Sequence, residues 1–148
     1  LGNDFNQQQM KQKYFHESSI KNPIEWYKKT LHLIREIKGY NVPAMIITDG
    51  TKNQLKELLD LSDVFFIQTP AAITDLMVLA KSKLLLCSGG STFSCWASFL
   101  EKTPTLSFPG QHPNWYKLSS DLTEHFVGVF DPCLPDKNVI EMIKNIRF

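Results

Sequence analysis

The chain has 148 residues, 43% hydrophobic and 21% charged, a composition that supports one packed core and argues against disorder. With 16 Lys and Arg against 15 Asp and Glu, the net charge of +1 makes no electrostatic case for nucleic acid or an anionic membrane. No apolar run approaches the ~20 residues of a membrane span, and no secretory leader pattern opens the chain.

Residues 1–21 are polar and read as a loop or linker. Asn22-Pro23 predicts a helix start, as N-cap and first-turn proline, and Ile24, Tyr27, Leu31 and Ile34 follow at helical spacing until Gly39 closes the element. A short strand over 43–49 ends in an acid. A helix over 52–61 turns Leu55, Leu58 and Leu59 inward, and a strand follows over 63–68. Thr69-Pro70 is expected to cap a helix with Ile73, Leu76, Leu79 and Ala80 on one face. A strand over 83–87 leads into a helix whose inward face is expected to carry Phe93, Trp96, Ala97 and Leu100. Strands over 103–108 and 125–130 flank an irregular or weakly helical 112–122, and Asp136 caps a last helix carrying Val139, Ile140 and Ile143. Cys87, Cys95 and Cys133 are odd in number and lack metal spacing, so they read as buried thiols in a reducing compartment.

Helix and strand alternate with short connections, and the strands are continuous apolar runs. That pattern predicts an α/β, Rossmann-like parallel sheet with helices on both faces. Ligands of such sheets lie beyond the carboxyl ends of the strands, which selects Asp49-Gly50, Gln68-Thr69, Ser88 to Thr92 and Pro109-Gly110.

The junction Ser88-Gly89-Gly90-Ser91-Thr92 admits two readings. A helix N-terminus offers unpaired N–H groups and partial positive charge; glycines let an anion approach and hydroxyls add hydrogen bonds, which together make a phosphate cradle. Equally, Ser91 or Thr92 caps the helix and the glycines turn the chain. Asp49 either accepts from a ribose or base donor or caps a turn with Gly50. In the loop after the fourth strand, His112, Trp115 and Tyr116 either touch a ligand or are solvated and packed loop residues. No histidine has metal-ligand spacing to another His or Cys, so no metal site is expected.

The stretch Leu84 to Leu100, with Ser-Thr-Phe-Ser at 91–94 followed by Cys95, Trp96 and Ala97, is similar to the Ser-x-Ser-Thr-Phe-Ser-Trp-Trp-Ala segment of the alpha-1,2-fucosyltransferases of glycosyltransferase family 11. Thr48-Asp49-Gly50 stands where that family has Ser-Asp-Asp, and residues 108–116 resemble its Pro-x-x-Trp-Phe region. Leu1 to Phe5 resembles the residues just after the family's His-x-Arg strand. The resemblance covers roughly residues 1–116 and departs from the family at Gly50 and Cys95.

The resemblance implies a single nucleotide-sugar-binding domain over 1–148, the C-terminal, donor-binding half of a longer GT-B enzyme, begun just after its first strand. Its partners would be GDP-fucose, or another nucleotide-sugar, and a glycan acceptor. Fucose would move with inversion and without an obligatory metal or other cofactor, in the cytoplasm. By the same resemblance, Ser88, Gly89, Gly90, Ser91, Thr92 and Phe93 would stabilise the leaving diphosphate, Asp49 and Gly50 would hold the nucleoside, His112 and Trp115 would border the base or acceptor, and Asp4 is the candidate catalytic base. Two other readings are open: a GT-B transferase or epimerase using a UDP-sugar, and a non-catalytic, truncated binding module. The first normally needs an acid early in the helix after the glycine turn. Here the acid of that helix is Glu101, at its far end.

Overall fold

The computed structural model describes residues 22–88, 91–109 and 126–148. In chain order these form α1 (Ile24–Lys38), β1 (Ala44–Ile46), a 3-10 turn (Lys52–Leu55) running into α2 (Lys56–Leu59), β2 (Val64–Phe66), α3 (Ala72–Ala80), β3 (Leu85–Cys87), α4 (Thr92–Glu101), β4 (Thr105–Ser107), β5 (Val127–Val129) and α5 (Lys137–Asn145). The fold is α/β, with parallel strands flanked by helices. β1 pairs with β2, Met45 opposite Phe65; β3 pairs with β4 and β4 with β5, Leu86 opposite Leu106 and Leu106 opposite Gly128. All pairings are parallel, as the apolar runs predict. Among the described residues they make two sheets, β1-β2 and β3-β4-β5, where the sequence suggested one.

Strand alternation assigns the two layers. Leu84, Leu86 and Leu106 pack on one side with Ile34 of α1, Val42, Phe130, and Val139 and Ile143 of α5. Leu85 and Cys87 pack on the other side with Ala80 of α3 and Ala97 of α4. Each fully buried residue of Leu or Ile size contributes about 1.5–3 kcal/mol of burial, so these layers are the main source of stability. Gly128 leaves room for the Phe126 ring: a Cβ there would lie 2.8 Å from the ring's tip.

The β1-β2 sheet is covered on one side only. Leu55, Leu58 and Val64 are buried, whereas Met45 and Phe65 are 51% and 53% exposed. The expectation of helices on both faces therefore holds for β3-β4-β5 and not for β1-β2 among the described residues.

Several local expectations hold. Gly39 ends α1 at φ 72°, its N–H donating to Arg35 O and Glu36 O. Asp136 Oδ1 accepts from Asn138 N at 2.7 Å as the cap of α5. Others are corrected. Pro23, not Asn22, stands at the N-cap position of α1. Asn22 is buried, and its amide donates to Cys87 O at 2.9 Å and Tyr27 Oη at 3.1 Å, tying the helix start to the end of β3. α3 begins after Ala71 rather than at Thr69-Pro70, and Ile73 is 63% exposed. On α4, Trp96 and Leu100 face outward while Cys95, Ala97 and Ser98 are buried. Small side chains there let α4 approach β4, where Thr105 Oγ1 donates to Ser98 Oγ at 2.7 Å and Ser98 Oγ donates to Thr103 O at 3.1 Å. A Trp on that face would hold the two elements apart. Ile140 is half-buried, and Cys133 is exposed, unlike buried Cys87 and Cys95.

Candidate functional site

The carboxyl ends of β1, β2 and β3 open on one cavity of about 590 Å³, within the range of small-molecule sites. Ile47, Thr48 and Asp49 follow β1, and Ile67, Gln68 and Thr69 follow β2. Asp75 and Leu79, one turn apart on α3, form a further wall. Ser88, Ser91, Phe93 and Ser94 close the cavity from the β3–α4 junction. Of the residues the strand-end rule selects, the cavity brings together Asp49, Gln68, Thr69, Ser88 and Ser91, from segments distant in sequence.

The junction forms the helix cap that its composition allowed. Ser91 caps α4: its Oγ accepts from Ser94 N at 3.3 Å, and Ser94 Oγ donates to it at 3.2 Å. Ser91 N donates to Ser88 O at 3.3 Å, the closure of a tight turn. Cys95 N returns to Ser91 O at 3.2 Å, which leaves the first-turn N–H groups of Thr92 and Phe93 outside the helix ladder. The Phe93 amide and the hydroxyls of Ser88, Ser91 and Ser94 make a donor-rich corner at the positive end of the helix. Beneath it, burial pushes the Cys87 thiol up to about 12, against a lowering contact from Ser94, so this side chain stays protonated and inert as a nucleophile.

The opposite wall is acidic. Asp75 Oδ1 is buried and has no hydrogen-bond partner among the described residues. A buried carboxylate oxygen left unpaired costs desolvation energy, and a ligand N–H or O–H would recover it. Asp49 is exposed at the rim, with Thr48 Oγ1 at 3.4 Å from its Oδ1. The cavity is therefore bipolar, with anion-accepting donors on α4 and donor-accepting carboxylates on α3 and after β1.

Three expected residues, Thr92, Gly50 and Pro109, lie outside the cavity wall. Thr92 is exposed on the first turn of α4. Gly50 is used locally, its N–H donating to Thr48 Oγ1 at 3.1 Å. Asp4, Gly89, Gly90, His112 and Trp115 lie outside the described residues. Asp75, Ser94 and Thr48 are the cavity residues that sequence reasoning passed over. The available signal was Asp75 in the first turn after a strand end, four residues before Leu79 and hence on its face.

A second, shallower depression of about 410 Å³ lies along α1, near Leu61 and Pro132. Its charges satisfy one another: Lys28 Nζ lies 3.1 Å from Glu57 and 3.5 Å from Glu25. Among the described residues no group of His, Cys, Asp and Glu is arranged to hold a metal ion, and no helix is long and apolar enough to cross a membrane. Comparison with protein-family models, curated proteins and solved structures returns no match for the chain.

Proposed function

We propose that the chain is the donor-binding half of a GT-B-type, fucosyltransferase-like glycosyltransferase, moving fucose from GDP-fucose to a glycan hydroxyl with inversion, in the cytoplasm. The observation that carries this reading is the bipolar cavity: the serine-rich start of α4 faces an acidic wall that holds the unpaired Asp75 oxygen. The Ser-Thr-Phe-Ser resemblance supplies the identity of the donor, and with it the expectation that no metal is obligatory.

The roles divide by chemistry. The Phe93 amide with the Ser88, Ser91 and Ser94 hydroxyls takes the diphosphate, and together they stabilise the charge that grows on it as the bond to the sugar breaks. Asp75 accepts from the adjacent ring and exocyclic N–H donors of guanine, a pair that uracil lacks. Asp49, at the rim, takes a ribose hydroxyl. Among the described residues the cavity wall contributes no Lys or Arg; by the resemblance, the cationic partner of the diphosphate would be the Arg of a His-x-Arg strand. Asp4 stays the candidate base.

The test is a calorimetric titration of GDP, with UDP as control, into this chain and into the polypeptide carrying that upstream strand. GDP is expected to bind at least tenfold more tightly than UDP. Asp75→Asn should remove that preference, and Ser91→Ala should weaken both nucleotides alike. A hydrogen bond to a charged group is worth about 1.5–3 kcal/mol, so a loss of tenfold or more is the expected scale. Preference for UDP would favour the UDP-sugar reading, and no binding to the folded longer polypeptide would leave a non-catalytic module.

A further inference from the structure

The two helical layers meet water differently. On one side of β3-β4-β5, α1 exposes Glu25, Lys29 and Glu36, and α5 exposes Lys137, Glu141 and Lys144. On the other side α3 and α4 expose apolar residues instead. α3 holds one charged residue, Asp75 of the cavity wall, and α4 holds one, Glu101 in its last turn. Ile73 and Met77, one turn apart on α3, are exposed, as are Trp96, Phe99 and Leu100 on α4, with Trp96 57% exposed.

These two rows share one surface. α3 and α4 pack on each other, with Ala80 and Ala97 in one buried cluster, and Lys81 Nζ meets Glu101 Oε1 at 2.6 Å where the helices end. That ion pair is exposed, so it marks the outer side of the seam, and Met77 lies one turn ahead of Lys81 on the same side. Five large side chains with about half their area in water leave about 500 Å² of apolar surface, toward the upper end of what a monomer shows in one patch.

We propose that this face pairs with the same face of a second copy of the chain, in a two-fold dimer whose axis passes near Trp96. Its area is that of half an interface: a stable contact takes about 800 Å² from each partner, a little over half of it apolar. Its chemistry disfavours a lipid surface. Interfacial helices are rich in Lys and Arg, whereas α3 and α4 contain neither, and Lys81 at their end is neutralised by Glu101. The face is also compatible with itself. A two-fold axis across α4 sets two copies antiparallel, so the positive end of each helix lies beside the negative end of the other. Lys102, six residues past Trp96 and so about 9 Å along the helix axis, then stands about 18 Å from its counterpart, beyond the ~8–10 Å over which exposed charges act. The pairing does not depend on what the cavity binds.

Sedimentation velocity over a concentration series tests it on the 148-residue chain without any nucleotide. The chain should sediment as a dimer that dissociates on dilution. Trp96→Lys sets two cations together at the axis and should weaken the dimer at least tenfold, the scale of loss at a central aromatic. Because Trp96 is exposed, that variant should keep the unfolding midpoint of the unaltered chain; if the midpoint falls, Phe99→Glu decides in its place. Leu134→Lys, at an equally exposed residue on the turn before α5, should leave the dimer unchanged. A chain that stays monomeric overturns the second copy. If the fluorescence that Trp96→Phe removes is then shielded from iodide, another segment of the same chain covers the face. If the monomer instead floats with phosphatidylglycerol-containing vesicles, a lipid surface covers it. A dimer untouched by Trp96→Lys, or weakened as much by Leu134→Lys, also overturns the proposal, since the contact then lies elsewhere.

Discussion

At the scale of single residues, the informative positions are polar groups placed where water cannot reach. Asp75 holds one such atom at the cavity, where a ligand can satisfy it. Thr30 holds another in the middle of α1: the residue is fully buried and its Oγ1 has no partner among the described residues. Thr30 lines neither of the two cavities described above, so the hydroxyl is a cost without a use. Thr30→Val, nearly the same shape, should raise stability by about 1 kcal/mol, the scale of an unpaired buried hydroxyl; urea unfolding would show a higher midpoint at unchanged slope. A lower midpoint would mean that the hydroxyl is paired in solution.

At the scale of elements, α4 shows how packing overrides a hydrophobic pattern. Trp96 and Phe99, in edge-to-face contact at 5.8 Å, are two of its three aromatic side chains, and both are exposed. The inward face instead carries Cys95, Ala97 and Ser98, whose small volumes allow a hydrogen-bonded seam with β4. Thr103 Oγ1 extends the seam to Ala80 O at 2.7 Å, fastening the end of α3 as well. Thr105→Val keeps the volume and removes the donor to Ser98 and to Thr103 O. It should lower stability by about 1–2 kcal/mol, read as a shift of the thermal midpoint. No change would mean that the seam is held by shape alone. Exposure of Trp96, Phe99 and Leu100 together follows from the same choice of face, since a helix that buries its small residues turns its large ones out.

At the scale of the molecule, the start of α1 is clasped to the functional edge by a buried polar knot. Trp26 Nε1 donates to Phe130 O at 2.9 Å, and Asn22 joins Cys87 O to Tyr27 Oη. Burial pushes both ionisable members up to about 12, from 10.0 for the Tyr27 phenol and 9.0 for the Cys87 thiol. Both are neutral when protonated, and the fold favours that form. Their contribution to stability is therefore complete below pH 9 and is lost as the pH climbs toward 12, at up to about 1.4 kcal/mol per pH unit for each group. Unfolding midpoints should be level from pH 7 to the high eights and fall above pH 9. Cys87→Ala should delay the fall to about pH 10, where Tyr27 begins to titrate. An unchanged onset in that variant would mean that the Cys87 thiol is not buried in the folded chain.

The sequence by itself determined what depends on near neighbours along the chain. The helix stop at Gly39 needs only a residue tolerant of positive φ, and the Asp136 cap needs only an oxygen two residues before a free N–H. Strand direction followed from uninterrupted apolar runs, and direction alone named the cavity edge at Asp49, Gln68, Thr69, Ser88 and Ser91. Tertiary structure decided what depends on distant neighbours. Asn22 resembled a cap until Cys87, 65 residues away, offered a buried carbonyl. Ile73 and Trp96 belonged to apolar stripes until packing left both exposed, Trp96 because α4 turns its small residues inward. Asp75 became a site residue only where the ends of three strands meet the wall of α3. The division into two half-sheets was equally invisible in the sequence, because a strand records how apolar its surroundings are and not which strand lies beside it.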